Sequence, residues 1–249
     1  MGKQGRIRVG IGGWTYEPWR GTFYPDGLTQ KRELEYASAK LTSIEVNGTY
    51  YGSQKPESFA KWHDETPDDF VFALKGPRFT TNRRVLAEAK ESVEKFLTGG
   101  LLELKDKLGP INWQFMPTKK FDAGDFGAFL ELLPPTVEGR AIRHAVEVRH
   151  DTFRAPEFAD LARARGVAVI RAGDSDYPEI EADTAPFVYA RIMGTTEGHG
   201  KGYSDAALDA WADKAKAWAA GGRDVYLYVI SGHKVRNPAA AMALIERLG

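Results

Sequence analysis

Short runs of β-branched and aromatic residues alternate along the chain with stretches of helical periodicity, and Gly, Pro, Asn or Asp punctuates most of the changes. The strand candidates centre on Val9, Glu45, Phe72, Trp113, Glu147, Val169, Tyr189 and Leu227. Between them, Thr29 is placed to cap a helix with Leu34, Ala37 and Leu41 on one face, and Pro56 to open a second carrying Phe59 and Trp62. Residues 85–108 read as a pair of helices broken at Gly99 and Gly100, and 125–133 and 156–165 supply two more. Ser204 begins the clearest helix, in which Leu208, Trp211, Ala215 and Trp218 stack until Gly221 and Gly222 end it. Asn237 as cap and Pro238 at the first helical position start the last one, through Ile245. Only the sixth connection, 174–186, is too short and acidic for a full helix.

Eight strands alternating with helices over 249 residues predict an α/β fold of the TIM type, a (β/α)8 barrel forming a single domain over 1–249. An open doubly wound sheet is the competing architecture. Against it, the glycines after the first strand, Gly10, Gly12 and Gly13, lack the spacing of a dinucleotide fingerprint and run into Pro18 rather than a helix. No repeat at solenoid periods and no Pro/Ser-rich linker divides the chain.

Composition narrows the function classes. Hydrophobic residues are 43% and charged residues 27%, an ordinary globular balance. Thirty-four basic residues meet thirty-four acidic ones, so any site for a polyanion must be built by local placement. The absence of cysteine excludes disulfides, thiolate metal sites and a cysteine nucleophile. Residues 1–6 carry neither an export signal nor a myristoylation signal, since Arg6 stands where Ser or Thr is needed. The longest apolar run, 225–230, is far short of the roughly 20 residues that span a bilayer. A cytoplasmic protein without a membrane partner is expected.

Strand parity then selects candidate site residues, because alternate side chains face either the apolar helix layer or the barrel interior. Ile44 and Val46 belong to the helix side, which turns Glu45 and Asn47 inward. The same logic sends Glu147 and Arg149 inward, places Lys75 inside near a strand end, and leaves Gln114 inside between Trp113 and Phe115. Arg171 and Arg191 are read at the ends of the sixth and seventh strands, and Tyr228 in the eighth. With His150 and Asp174 from adjacent loops, four fixed cations, Lys75, Arg149, Arg171 and Arg191, meet three carboxylates. These charges either neutralise one another structurally or form a site. Their place at the carboxyl ends of the strands, the cost of burying so many, and the cationic surplus all point to an anionic ligand.

Several further features leave alternatives open. The loop 194–202 contains four glycines with Thr, His and Lys, and reads as a lid, an anion cradle or a plain flexible loop. Glu45, Glu147, His150 and Asp174 form a conceivable divalent-metal set, although His63, His144, His150, His199 and His233 lack zincin spacing. Paired carboxylates also suit glycosidic chemistry. Trp14, Tyr16, Trp19, Phe23 and Tyr24 crowd the first loop, where they either pack over the barrel mouth or stack on a base or sugar.

The residues resemble the YecE-like family, also called domain of unknown function 72 (DUF72), over nearly the whole chain. The likeness is carried by Ile11-Gly-Gly-Trp-Thr-Tyr-Glu-Pro-Trp-Arg-Gly-Thr-Phe-Tyr-Pro25, by Ile44-Glu-Val-Asn-Gly-Thr-Tyr-Tyr51, by Pro67-Asp-Asp-Phe-Val-Phe-Ala-Leu-Lys-Gly-Pro-Arg78, by Glu147-Val-Arg-His150 and by Gly202-Tyr-Ser-Asp205. The resemblance implies a TIM-type barrel and no established reaction, with a remote likeness to metal-dependent endonucleases and sugar isomerases as analogy alone. One departure matters. Where many members have Phe-Asn-Asn-Asp and a later Ala-Pro, this chain has Val229, Ile230, Ser231 and Gly232, then Asn237 and Pro238, so any role of those amides and that carboxylate does not carry over. His233, Lys234 and Arg236 make that loop basic instead.

The reading is therefore a barrel that binds a phosphorylated or otherwise anionic ligand, a class that includes nucleotides and nucleic-acid fragments. Glu45 and Glu147 are its candidate acid/base residues, as in a phosphoester hydrolase. Asn47, Lys75, Gln114, Arg149, His150, Arg171, Asp174, Arg191 and Tyr228 are its candidate ligand contacts. The alternatives are a non-catalytic barrel that binds a small molecule or a protein, and a sugar-directed enzyme.

Overall fold

Runs rich in Val, Ile, Tyr and Phe become strands because both of their faces are buried, one under helices and one inside the barrel. The computed structural model describes residues 4–249. The strands of its main sheet are β1 (Ile7–Gly12), β2 (Ser43–Val46), β3 (Val71–Lys75), β4 (Leu108–Gln114), β5 (His144–Glu147), β6 in two segments (Ala168–Val169 and Arg171–Gly173), β7 (Phe187–Ile192) and β8 (Asp224–Val229). Every ladder among them is parallel. The first segment of β6 pairs with β5 and the second with β7, and the Ile170 N–H between them donates to the Val146 carbonyl at 2.9 Å. One strand thus changes partner at Ile170 and closes the sheet, which excludes the doubly wound alternative. The reading of an unacylated amino terminus rests partly on residues 1–3, which lie outside the described residues. Among the described residues no helix is long and apolar enough to cross a membrane.

The helices are α1 (Glu33–Ser38), α2 (Gly48–Tyr51), α3 (Pro56–Asp64), α4 (Arg78–Thr81), α5 (Lys90–Leu97), α6 (Ala123–Glu131), α7 (Pro156–Ala164), α8 (Asp205–Ala219) and α9 (Asn237–Leu248). As expected, residues 174–186 contain none. The sequence reading needs four local corrections. Thr29 makes no side-chain cap, and a 3-10 turn, Gln30–Arg32, precedes α1. The second half of 85–108 is a 3-10 segment, Leu101–Lys107, entered through Gly100 at φ 98°. The α6 cap is Asp122, which accepts from the Asp125 N–H at 2.8 Å. Asn237 lies inside α9 rather than capping it, its amide being engaged with Thr195 Oγ1 at 2.7 Å and the Ser231 carbonyl at 3.2 Å.

Two apolar clusters divide the core. The larger lies between sheet and helices and holds Ile44, Val46, Phe72, Leu74, Trp113, Phe115, Val146 and Val148. The smaller fills the barrel with Val71, Ala73, Ala145, Ala168, Ile170, Ala172, Phe187, Tyr189, Tyr226 and Tyr228. Alanines on β3, β5 and β6 thus share the interior with the bulky rings of β7 and β8, as interdigitation at native density requires. Apolar filling gives way to charge at the carboxyl end.

The partition makes Val148 a helix-side core residue, 2% exposed. Val148→Ala is expected to cost about 1–3 kcal/mol of stability in a urea melt. A neutral result would mean that the parity of β5 is misassigned.

Candidate functional site

Four strands deliver polar and charged side chains to one layer at the polar end of the barrel. Glu45 on β2, Gln114 on β4, Glu147 on β5 and Arg191 on β7 all point inward, because each is flanked by apolar residues that the helix layer claims. Lys75 closes β3, where Thr49 of α2 holds its backbone: the Thr49 hydroxyl donates to the Lys75 carbonyl at 2.7 Å and accepts its N–H at 3.2 Å. The next residue has to be glycine, since a Cβ on Gly76 would lie 2.3 Å from the Trp113 ring.

Arg191 is the centre of the layer. It donates to Glu45 Oε1 at 2.9 Å through Nη2 and to Glu147 Oε2 through Nη1. The remaining Glu45 oxygen accepts the Tyr189 hydroxyl at 2.5 Å and the Asn112 amide at 3.4 Å. Asn112 also reaches Glu147 Oε2 at 3.5 Å, and Arg149 donates to Glu147 Oε1 at 2.7 Å. Both carboxylates are fully buried, with every oxygen engaged by a donor. Burial would push the Glu147 carboxyl up, but Arg191, Arg149 and Lys75 outweigh it and hold the pKa down at about 2. The same two carboxylates overcome burial in the other direction and keep Arg191 protonated.

Lys75 differs from its neighbours. Its ammonium donates to the neutral Gln114 Oε1 at 2.6 Å and lies 4.4 Å from the centre of the Tyr50 ring, with no carboxylate in salt-bridge range. Burial first, and then the Arg191 guanidinium, lower its pKa from 10.5 to about 8. Arg149 is half-buried and stacks on Tyr177 at 4.3 Å. Three cations, Lys75, Arg149 and Arg191, therefore meet two carboxylates.

Not every expected contact joins this set. Arg171 lies between inward-facing Ile170 and Ala172, so it points to the helix side, stacks 4.6 Å from the Trp218 ring and pairs with Asp183 at 2.7 Å. Its place at a strand end suggested the mouth; parity overrides that. Asp174 also turns outward, accepting the Trp211 indole N–H at 2.8 Å from a backbone at φ 53°. His150 caps the short turn Asp151–Arg154 by accepting the Thr152 N–H at 3.2 Å. Tyr228 is inside but fully buried, donating to Ser43 Oγ at 2.8 Å because that hydroxyl itself donates to the Val71 carbonyl. Asn112 and Tyr189, which the sequence reading missed, carry a legible signal: each stands two residues before an inward polar residue. Tyr50, from the short helix α2, and Tyr177, from a loop, carry none.

Asn47 lines a cleft of about 310 Å3 beside the charged layer, with Gly12, Trp14, Gln54, Trp62 and Lys234. A Cβ on Gly12 would come within 2.7 Å of the Asn47 amide, so the glycine admits that side chain. Trp14 and Trp62 meet edge to face at 5.1 Å, while Tyr16, Trp19, Phe23 and Tyr24 pack among themselves. The base of the 194–202 loop is fixed, with the Gly194 N–H on the Tyr203 hydroxyl at 2.8 Å and the Thr196 N–H on the Gly202 carbonyl at 2.8 Å. Residues 196–201 are exposed. The opposite end of the barrel holds a second basic cleft, about 530 Å3, lined by Arg6, Arg8, Arg143, Asp106 and Asp224 among others.

The suggested metal set does not assemble. Among the described residues no three His, Asp or Glu side chains gather as ligands, and the oxygens of Glu45 and Glu147 already serve Arg, Tyr and Asn donors. His144 is a structural residue on the outer face of β5. It accepts the Trp113 indole N–H at 3.1 Å and faces the Pro134 carbonyl at 2.9 Å, and burial lowers its pKa to about 4.

The family model described as "Protein of unknown function DUF72" matches residues 8–249. The chain is 29% identical over 164 residues to the UPF0759 protein YecE of Escherichia coli K12, a match covering 65% of this chain and 55% of that protein. The chain thus matches little more than half the length of that curated relative. Among solved structures, a DUF72 family protein of Thermotoga maritima aligns over 96% of this chain and 97% of its own, at 23% identity and a TM-score of 0.75. One from Enterococcus faecalis covers 97% and 95%, at 17% identity and 0.76. A xylose isomerase-like TIM barrel/4-hydroxyphenylpyruvate dioxygenase fusion protein covers 94% of this chain and 41% of its own, at 16% and 0.55. These structural likenesses are of fold.

Arg191→Met leaves two buried carboxylates without their shared cation and is expected to cost about 3–5 kcal/mol. The pH dependence of wild-type stability follows from two lowered pKa values. His144 is neutral when folded, so stability falls as pH drops from about 6.5 to about 4; Glu147 is ionised when folded, so a further loss follows from about 4.5 to about 2. Urea melts across this range check both; stability that is flat below pH 6.5 contradicts them.

Proposed function

The chain belongs to the DUF72 family of (β/α)8 barrels, and we propose that it binds a small anionic ligand, phosphorylated or carboxylate-bearing, at Lys75 and Arg149 over the polar end of the barrel. The observation that carries this reading is the state of Lys75: a cation 5% exposed whose partners, Gln114 and Tyr50, are both neutral. Taking an ammonium out of water without a counterion is costly, and an incoming anion supplies one. Arg149 adds a half-buried guanidinium that shares one carboxylate, Glu147, with Arg191. A nucleotide would in addition use the adjoining cleft, where Trp14 and Trp62 offer ring surface and Lys234 a further charge.

Glu45 and Glu147 act in this reading as the fixed counter-charges that orient Arg191 and Arg149. Phosphoester or glycoside hydrolysis by either carboxylate would require it to release a guanidinium or amide donor first, whereas binding requires no such exchange. The geometry therefore supports binding ahead of hydrolysis.

Inorganic phosphate is expected to raise the Tm of the wild-type protein above that in sodium chloride of equal ionic strength, by a mass-action stabilisation of about 2.7 kcal/mol at a hundredfold excess over Kd. Lys75→Met is expected to fold, since it replaces a poorly compensated buried charge by an apolar chain, and to lose the response. Arg171→Ala, altered on the helix side, is expected to keep it. An equal rise in wild type and Lys75→Met would remove the anion from this site.

A further inference from the structure

Lysines that lack free solvent are usually tied down by acceptors. Lys107, 3% exposed, donates to the His63 carbonyl, the Thr66 carbonyl and the Thr66 hydroxyl. Lys119 and Lys214 are paired with carboxylates. Lys75 has one neutral acceptor, an aromatic face, and two guanidinium groups nearby, from Arg149 on the chain beyond β5 and Arg191 on β7. A desolvated amine beside fixed cations is the arrangement that releases a nitrogen lone pair near neutral pH, while the same cations hold an anionic substituent of the molecule it attacks.

We propose that Lys75 is a nucleophilic amine that forms an imine with a small aldehyde or ketone bearing a carboxylate or phosphate, which Arg149 binds. The proposal rests on the anion-binding reading above and extends it to covalent chemistry. The Nζ lone pair forms the C–N bond as the carbonyl π pair moves to oxygen. The carbinolamine then loses that oxygen as water, which carries away both amine hydrogens and leaves C=N. No oxidant or reductant enters. Gln114 Oε1 accepts from the amine and fixes its direction at the end of β3, and Tyr50 covers it. The groups that set its protonation are Glu45 on β2, Glu147 and Arg149 from the β5 side, and Arg191 on β7: the carboxylates favour the ammonium, and burial with the guanidiniums prevails against it.

Glyoxylate with sodium cyanoborohydride tests this on the whole protein, because reduction of the imine leaves a stable carboxymethyl group that peptide mass mapping locates. Lys75 is expected to be modified faster than the exposed lysines, on the order of tenfold at pH 8, with a rate that rises through a midpoint near 8. Phosphate should compete, and neutral acetaldehyde should modify Lys75 more slowly because it offers Arg149 nothing. Lys75→Arg should lose the adduct while retaining phosphate stabilisation. No preferential adduct at Lys75 in a protein that phosphate still stabilises overturns the imine and leaves the binding reading standing; no adduct and no stabilisation overturns both. Preferential modification of Lys234, which also lacks a carboxylate and lies 4.0 Å from the Tyr16 ring, overturns the assignment of the nucleophile. Acetaldehyde matching glyoxylate at Lys75 overturns the role of Arg149.

Discussion

Arg191 and the two carboxylates it joins can be buried only together. Each charge alone would forfeit several kcal/mol of hydration, and their mutual attraction repays this only when the hydrogen bonding is complete. Tyr189 and Asn112 complete it for the carboxylates, although Arg191 Nε and Asn112 Oδ1 find no partner in the layer. Because β2, β5 and β7 are not neighbours in the sheet, the network spans the barrel interior and exists only when the sheet is closed. Closure falls to β6, which gives two residues to β5 and three to β7. Charge layer and barrel closure therefore stabilise each other. A one-residue slip of β5 would turn Glu147 into the helix layer among phenylalanines.

The barrel was legible because a two-residue period leaves little choice. Ile44 and Val46 on either side of Glu45, and Trp113 and Phe115 on either side of Gln114, can face only the helices. The same period, applied strictly, would have turned Arg171 outward between Ile170 and Ala172 and admitted Asn112 beside Gln114. Proximity to a strand end is a weaker guide than parity. Loop residues followed neither rule. Asp174 and His150 were drawn to nearby indole and backbone donors, and nothing local in the sequence ties Tyr50 to Lys75 or Tyr177 to Arg149. Caps were similarly hidden: Asn237 is followed by Pro238, as at a helix start, yet its amide is consumed by Thr195 and Ser231.

Removing Arg171 and Asp174 from the expected set takes away one positive and one negative charge, so the surplus that suggested an anion is unchanged in sign and now belongs to named atoms. It is concentrated at Lys75, whose ammonium meets only the neutral Gln114 and Tyr50, and at Arg149, which is half-buried. The carboxylates read as acid/base candidates pair with Arg191 and, through Glu147, with Arg149.

The most direct measurement of this account is the position of an anion in the folded protein, read from anomalous diffraction of crystals soaked in selenate. The account predicts a selenium peak in contact with Lys75 Nζ and the Arg149 guanidinium, at the carboxyl end of the barrel. A peak confined to the opposite cleft at Arg6, Arg8 and Arg143, with none at Lys75, would contradict it.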